Sequence, residues 1–319
     1  MNETSKTTPN SGIKVVFFGN ERIATGVTTE CPTLHKLIQN GFNVAAVVVH
    51  HEAKASRKQR VLEIADMAAR YEIPVLSPSK PSDIIADLKK LQPTIGVLVA
   101  YGKIVPENII DIFPAGIINI HPSLLPLHRG STPIESVILG GERKTGVSLM
   151  RLAKKMDAGD VYAYSEYELA GNETKQQLAD DLLELGSEML ITVLPRVVRG
   201  EIAGKPQDEN HATYDVILTK QDGLLGPAKP AKQLEQEVRA YLGWPGSRTS
   251  IAGKVVVITA AHVADNSVEN VDKKAIFVAN KQLCLQTSDG ILVIDELKPA
   301  GKPAMPARAF LAGYGSKII

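Results

Sequence analysis

The sequence is poor in cysteine and in long apolar runs, and its charges nearly cancel. Its two cysteines, Cys31 and Cys284, have no C-x-x-C spacing, which argues against a disulfide framework or a zinc knuckle and favours a reducing compartment. No uninterrupted apolar segment approaches the ~18 residues of a membrane span, so we expect no membrane role. Lys and Arg number 36 against 35 Asp and Glu. No global basic surplus therefore points to nucleic acid, and such a role must rest on local clusters.

The remaining bulk features are those of an ordinary cytoplasmic protein. The opening "MNETSKTTPNSG" has no apolar core of a signal peptide, so we expect a short disordered arm before a soluble protein. The histidines are dispersed without zinc-ligand spacing, and no metal is expected. A length of 319 residues with 44% hydrophobic content predicts two domains with substantial cores.

Strands and helices alternate through the first two hundred residues. "IKVVFFG" and "FNVAAVVV" are typical of buried strands, and "PTLHKLIQNG" between them has helical spacing. The pattern repeats, which predicts βαβ units and a mostly parallel α/β sheet. After Gly200 a polar stretch suits a linker, and short apolar runs separated by turn residues then predict a small antiparallel sheet or barrel. We place the two domains at residues 12–203 and 204–319.

The stretch "GIINIHPSLLPLHRG" places two polar residues in an apolar strand. Side chains alternate on a strand, so Asn119 and His121 share a face, and Pro122 helps to end the strand there. Ligands of parallel sheets bind beyond the carboxyl ends of the strands. A pair of core residues bonded to nearby backbone is the alternative, but a same-face pair at a strand end favours a catalytic site.

A carboxylate is the expected partner of such a histidine. The segment "KKMDAGDVY" offers Asp157 and Asp160 in a glycine-containing turn between two strands. A histidine that moves protons commonly needs a carboxylate to orient its ring and stabilise its charged form. The residues alone do not decide between the two aspartates, and either could cap the turn. By contrast, "GNERIATG" after the first strand is not G-x-G-x-x-G, which disfavours a nicotinamide nucleotide site.

These motifs together resemble those of the folate-dependent formyltransferases. "NIHPSLLPLHRGSTPIESVILGG" followed by "TGVSLMRLAKKMDAGDVY" is similar to that family's N-x-H-x-S-L-L-P, its G-x-x-P-I helix and its D-x-G. Within the superfamily the chain most resembles the methionyl-tRNA formyltransferase family. The likeness covers nearly the whole chain, since "HATYDVILTKQDGLL" and "ELKPAGKPAMPARAFLAGY" resemble the opening and closing segments of that family's carboxyl-terminal domain.

The resemblance implies a reaction, its substrates and its residues. It implies formyl transfer from 10-formyltetrahydrofolate to the amino group of methionine on initiator methionyl-tRNA, by a monomer that needs no metal. The implied fold is a Rossmann-like formyltransferase domain followed by an OB-like β-barrel that binds tRNA. Asn119, His121 and Asp157 take the catalytic roles. The S-L-L-P residues that line the folate site are Ser123, Leu124, Leu125 and Pro126.

The chain departs from the family pattern at three places. The first-strand turn is G-N-E-R-I-A instead of G-T-P-x-F-A, and Leu127 and His128 replace the usual arginine and aromatic. We expect His128 to be exposed. The usual Gly- and Pro-rich insertion is replaced by "HHEAKASRKQR", whose cations either meet tRNA phosphates or form a solvated face. Those cations are Lys54, Arg57, Lys58 and Arg60.

The departures keep other functions open. The same site could formylate an amino-sugar nucleotide or hydrolyse formylfolate. A non-catalytic folate or RNA binder is a third hypothesis, although such a binder would not need the Asn119, His121 and Asp157 constellation. In the second domain any tRNA contact must rest on local clusters, and the candidates are Lys229, Lys232 and Arg239, or Lys298 and Lys302.

Overall fold

A computed structural model describes residues 10–50, 62–265, 267–270 and 274–318. The chain divides into two compact units, and the second takes two short pieces from within the stretch that forms the first. The cations of "KASRKQR" and most of the expected disordered arm lie outside the described residues. The first unit comprises Met1–Pro133, Lys144–Glu168 and Leu178–Asp215, and the second comprises Ile134–Arg143, Leu169–Gln177 and Val216–Ile319.

A seven-stranded sheet forms the centre of the first unit. Its order is β3-β2-β1-β4-β5-β6-β7, and every neighbouring pair is parallel except β5 with β6 and β6 with β7. The predicted mostly parallel α/β sheet is thus confirmed. Runs of Val and Ile fill β1 and β4 because helices cover both faces of a parallel sheet. The strands are β1 Lys14–Gly19, β2 Asn43–Val48, β3 Val75–Leu76, β4 Ile95–Val99, β5 Ile117–His121, β6 Lys144–Arg151 and β7 Val161–Glu168.

Helices connect these strands at the predicted places, with one short helix that the sequence pattern did not indicate. The short one, α4, has only four residues and carries too little periodicity to predict. The first six helices are α1 Pro32–Gln39, α2 Glu63–Arg70, α3 Ile85–Leu91, α4 Glu107–Ile110, α5 Pro133–Gly140 and α6 Lys175–Val198.

The first-strand turn, where the chain departs from the family pattern, is held by a buried carboxylate. Glu21 is 1% exposed, and its two carboxylate oxygens accept the backbone N–H groups of Thr33 and Leu34 at 2.9 Å each. These N–H groups belong to the first turn of α1, which has no intrahelical partners for them. Burial raises the pKa of Glu21 to about 7, although the same hydrogen bonds oppose the shift.

The second unit is built on an antiparallel sheet curled into a half-barrel, which confirms the predicted class of this domain. Its order is β10-β11-β12-β9-β8, and β13 pairs with β12. Two helices, α7 Ala231–Ala240 and α8 Ala307–Tyr314, add Leu234, Val238 and Phe310 to the core of this sheet. The strands are β8 Ser247–Ile251, β9 Lys254–Val263, β10 Ile276–Ala279, β11 Gln282–Gln286, β12 Ile291–Pro299 and β13 Met305–Pro306.

A buried ion pair joins separate pieces of the second unit. Glu135 of α5 and Lys175 of α6 are both fully buried, and Lys175 Nζ lies 3.4 Å from Glu135 Oε1. The same ammonium donates to the carbonyl of Trp244 at 2.8 Å. Burial lowers the pKa of Lys175, and the nearby Glu135 carboxylate opposes that shift.

The two cysteines are buried free thiols. Burial raises the pKa of both thiols, so neither is an activated nucleophile. In the described part of the chain no helix is long and apolar enough to cross a membrane. Nor do the described residues include a group of three or more His, Cys, Asp or Glu side chains that could hold a metal ion.

Candidate active site

Strand β5 presents Asn119 and His121 side by side, as its alternation predicts. In the sheet, Asn119 pairs with Leu98 of β4 and Met150 of β6, and His121 pairs with Ser148. Asn119 is 7% exposed and His121 is 4% exposed. Two polar side chains are therefore buried together at the carboxyl end of an internal strand, where a doubly wound sheet places its ligands.

Both ring nitrogens of His121 face fixed acceptors. Nε2 lies 2.9 Å from the carbonyl oxygen of His128, and a carbonyl can only accept, so Nε2 carries a hydrogen. Nδ1 lies 3.8 Å from Oδ2 of Asp157, which is an ion-pair distance and too long for a hydrogen bond. The charged imidazolium is thus the form that satisfies both sides of the ring.

Of the two candidate aspartates, the structure brings Asp157 to His121. Oδ2 of Asp157 also accepts the backbone N–H of Gly130 at 2.9 Å. Asp157 adopts φ 47°, a left-handed conformation that Asp tolerates better than most residues. Asp160 lies at the end of the same turn, where its backbone carbonyl accepts the N–H of Arg151. The carboxylate of Asp157 is therefore fixed both by the turn and by the loop after β5.

The side-chain amide of Asn119 is buried without a hydrogen-bond partner among the described residues. Buried amide groups are normally paired, because desolvating an unpaired one costs about 1–3 kcal/mol. An unpaired amide next to an imidazole at a strand end is consequently a group held ready for a ligand oxygen. We regard this amide as the most informative feature of the site.

The S-L-L-P segment divides into two inward and two partly accessible residues. Ser123 is fully buried, and its hydroxyl donates to the Leu127 carbonyl at 2.7 Å. Leu125 is 3% exposed and packs with Met150 and Val161, and its peptide bond to Pro126 is cis. The two partly accessible residues are Leu124 and Pro126.

The expectation that His128 is exposed is wrong. Its side chain is 17% exposed, because Nδ1 lies 3.0 Å from Oδ1 of Asp215. Its backbone N–H donates to Oγ1 of Thr213 at 2.8 Å, and φ is 55°. These contacts hold the His128 carbonyl at the point where it accepts from His121.

A buried arginine supports the loop after β5, and sequence reasoning missed it. Arg129 is 0% exposed and donates to Tyr214 Oη at 2.8 Å, to Gln207 Oε1 at 2.8 Å and to Glu209 Oε1 at 2.7 Å. The hydrogen bonds from Arg129 and from Lys155 lower the pKa of Glu209 to about 2. The only local signal was an arginine directly before the glycine of "HRG". Its partners lie far along the chain.

The family of the chain follows from comparisons with known proteins. The "Formyl transferase" family model matches residues 13–194, and the "Formyl transferase, C-terminal domain" model matches residues 217–315. A methionyl-tRNA formyltransferase from Chloroflexus aurantiacus is 36% identical over 314 residues, which cover 96% of this chain and 99% of the relative.

Solved structures share the fold at lower identity. HypX from Aquifex aeolicus in complex with tetrahydrofolic acid has a TM-score of 0.64 and 17% identity, over 94% of this chain and 47% of that one. An N-formyltransferase from Helicobacter canadensis, in complex with folinic acid and dTDP-3-aminofucose, has a TM-score of 0.63 and 18% identity, over 88% and 98%. From the family models and the full-length relative together, the chain belongs to the methionyl-tRNA formyltransferase family, a family of enzymes that transfer a formyl group.

Proposed function

We propose that the chain transfers the formyl group of 10-formyltetrahydrofolate to the amino group of methionine on initiator methionyl-tRNA. The observation that carries the proposal is the buried, unpaired amide of Asn119 beside His121 and Asp157. The choice of acceptor is supported by the relative from Chloroflexus aurantiacus, which matches along nearly its whole length. The buried free thiols favour a reducing, cytoplasmic setting, where we propose that the enzyme works as a monomer.

The reaction needs an oxyanion donor. The methionyl amine attacks the formyl carbon, a carbon–nitrogen bond forms, and negative charge builds on the formyl oxygen. The bond to N10 of the folate then breaks as the amine loses a proton and N10 gains one. An amide N–H of Asn119 would donate to the oxyanion, and removing one such donor typically costs about 10²–10³ in rate.

His121 and Asp157 supply the charge and the proton route in this proposal. Protonated His121 places a positive charge on the β5 face beside Asn119, where it would stabilise the oxyanion. Asp157 stabilises that charged ring and is 14% exposed, so water can reach the carboxylate and relay the amine proton towards N10. General acid–base catalysis of this kind contributes roughly 10²–10⁴ in rate.

The folate would lie against the S-L-L-P segment. Leu124 and Pro126 keep accessible surface for the folate substrate, while Ser123 and Leu125 hold the backbone of the segment. A bond from the Leu125 N–H to Ser148 Oγ at 3.0 Å, and one from that hydroxyl to the Ser123 carbonyl at 2.6 Å, anchor the segment to β6. We propose all four residues as folate-site residues, two by contact and two by support.

For tRNA, we propose that the domain at residues 204–319 makes contact through the second lysine cluster of the sequence analysis. The first cluster is neutralised, because Lys229 pairs with Glu237, and Lys232 and Arg239 both pair with Glu235. Lys302 instead lies 5.7 Å from the ring centre of Tyr314, and Lys254 lies 5.1 Å from it. Nearby lysines, Lys317 included, lower the pKa of Tyr314. Exposed cations around an aromatic ring suit a phosphate backbone.

A different acceptor is the second candidate. An amino-sugar nucleotide is the acceptor present in the Helicobacter canadensis structure, and Leu127 and His128 depart from the family pattern beside the site. The deciding experiment supplies 10-formyltetrahydrofolate with initiator methionyl-tRNA, elongator methionyl-tRNA or a dTDP-amino sugar and follows formyl transfer. Product with initiator tRNA alone supports the proposal. Product with the sugar alone replaces the acceptor, and no product with any acceptor overturns the enzymatic function.

A further inference from the structure

A segment that resembles a linker in the sequence is bound along the first unit. We call residues Lys205–Asp215 the strap. At one end, Lys205 and Val161 of β7 exchange two backbone hydrogen bonds of 2.9 Å. At the other end, Arg129 donates to the Thr213 carbonyl and accepts from the Asp215 N–H, both at 2.9 Å. The strap therefore joins β7 to the loop after β5.

Between these two attachments, Gln207 of the strap holds the turn that carries Asp157. Its Nε2 donates to the Asp157 carbonyl at 2.8 Å and to the Gly159 carbonyl at 2.7 Å. The turn has little freedom of its own, since a Cβ at Gly159 would lie 1.8 Å from the Arg151 carbonyl oxygen. The amide of Gln207 uses both of its hydrogens on this one turn.

The buried Arg129 fixes the orientation of the Gln207 amide. Oε1 of Gln207 accepts from Arg129 Nε at 3.2 Å and from Nη2 at 2.8 Å. A guanidinium can only donate, so the amide oxygen must face it and the amide nitrogen must face the turn. Arg129 also donates to Tyr214 and Glu209, two other residues of the strap. The position of the Asp157 turn is thus referred to a fully buried group.

We propose that Gln207 is a positioning residue for formyl transfer, which acts by holding Asp157 at its place beside His121. The proposal rests on the proposed function. The carboxylate of Asp157 is bound by the Gly130 N–H and its backbone by Gln207, so the two contacts together define where the negative charge lies. A displacement of about 1 Å at such a group can cost about 10²-fold in rate.

The test replaces Gln207 by Glu. In Gln207→Glu the carboxylate keeps an acceptor for Arg129, which preserves the buried arginine, but it has no hydrogen for the Asp157 and Gly159 carbonyls and repels them. We expect kcat for formyl transfer to fall by about 10- to 10²-fold, with little change in KM for folate or tRNA. Gln221→Glu, on an exposed glutamine outside the strap, makes the same charge change and should transfer at the wild-type rate.

A double variant separates positioning from general support. If Gln207 acts through Asp157, Gln207→Glu added to Asp157→Asn should lower kcat no further than Asp157→Asn alone. Losses that multiply in the double variant would overturn the proposal, as would a wild-type kcat in Gln207→Glu. If Gln207→Glu does not fold, Gln207→Met keeps the length of the side chain without its donors, and the same outcomes apply.

A readout without turnover keeps the inference separate from the choice of acceptor. The Gly130 amide hydrogen reports the Asp157 carboxylate directly, because it donates to Oδ2. Hydrogen exchange at Gly130 should be faster in Gln207→Glu than in wild type and unchanged in Gln221→Glu. Unchanged protection at Gly130 would refute the positioning role. This measurement holds even if initiator tRNA proves not to be the acceptor.

Discussion

His121 Nε2 lies 2.9 Å from the carbonyl oxygen of His128, so the histidine that departs from the family pattern fixes the ring of the proposed catalytic histidine. The contact uses the backbone of His128, whereas its side chain turns away to Asp215. Substitution of the His128 side chain therefore need not alter the acceptor that His121 meets. The consequence is that Asp157, on the other side of the ring, decides how the charged form is stabilised.

Asp157→Asn should lower formyl transfer by about 10²–10⁴-fold, the range of general acid–base catalysis, without unfolding the protein. The variant keeps an oxygen for the Gly130 N–H and removes only the negative charge that faces His121. Single-turnover transfer and a thermal melt measure the two effects. Asp160→Asn in the same turn is the matched control, and a larger loss there than in Asp157→Asn would contradict the assignment.

Asn119→Ala should remove about 10²–10³ of the rate and leave stability nearly unchanged. The amide has no partner among the described residues, so its loss breaks no internal hydrogen bond and leaves no donor stranded. We would measure kcat alongside the free energy of unfolding in urea. A large loss of stability with normal turnover would mean that Asn119 serves the core and not the reaction.

Glu21→Gln should flatten the pH dependence of stability between about pH 5 and pH 7.5. The pKa of Glu21 is raised from 4.5 to about 7, so the folded state holds a proton that the unfolded state has lost, and stability falls as the pH rises through this window. Each unit is worth about 1.4 kcal/mol, which gives about 3 kcal/mol in total. Urea unfolding at both pH values tests this, and an equal slope in the variant would exclude Glu21 as its source.

Glu135→Ala should destabilise the second unit by about 3–5 kcal/mol, because it leaves the Lys175 ammonium buried without its carboxylate. Replacing both members, as Glu135→Leu with Lys175→Met, should recover most of that loss. Urea unfolding of the two variants makes the comparison. A double variant as unstable as Glu135→Ala would show that the carboxylate contributes through contacts other than the ion pair.

Replacing Lys254, Lys302 and Lys317 by Ala should raise KM for tRNA, leave KM for folate unchanged and reduce the salt dependence of tRNA binding by about one unit per lost phosphate contact. No carboxylate pairs with these three lysines in the described part of the chain. Lys229→Ala with Lys232→Ala is the control, since both are paired with glutamates. An equal effect of the two sets on KM would reject the Tyr314 cluster as the contact.

The sequence predicted the parts of the site that lie on one strand and missed those that depend on tertiary contacts. Alternation along β5 was sufficient to place Asn119 and His121 together. The choice of Asp157 over Asp160 came from the family resemblance, because it depends on a left-handed turn. Gln207 lies 50 residues from Asp157, and no local pattern relates the two.

The fold shows the same division between local and long-range information. Strands with apolar β-branched runs were predicted to within a residue or two. Helix α8 was not predicted as a helix, although it begins directly after Pro306, a residue that suits a helix start. His128 looked like an exposed loop residue because its partner, Asp215, lies 87 residues further along the chain.

The strap also sets an order of events during synthesis. Asn119, His121 and Asp157 leave the ribosome well before Lys205–Asp215, and domains generally fold as units from the amino terminus. A nascent chain that ends at α6 contains all three residues but lacks the groups that bind the Asp157 turn and the His128 backbone. The site is completed only when the last segment of the first unit has been made, shortly before the second unit follows.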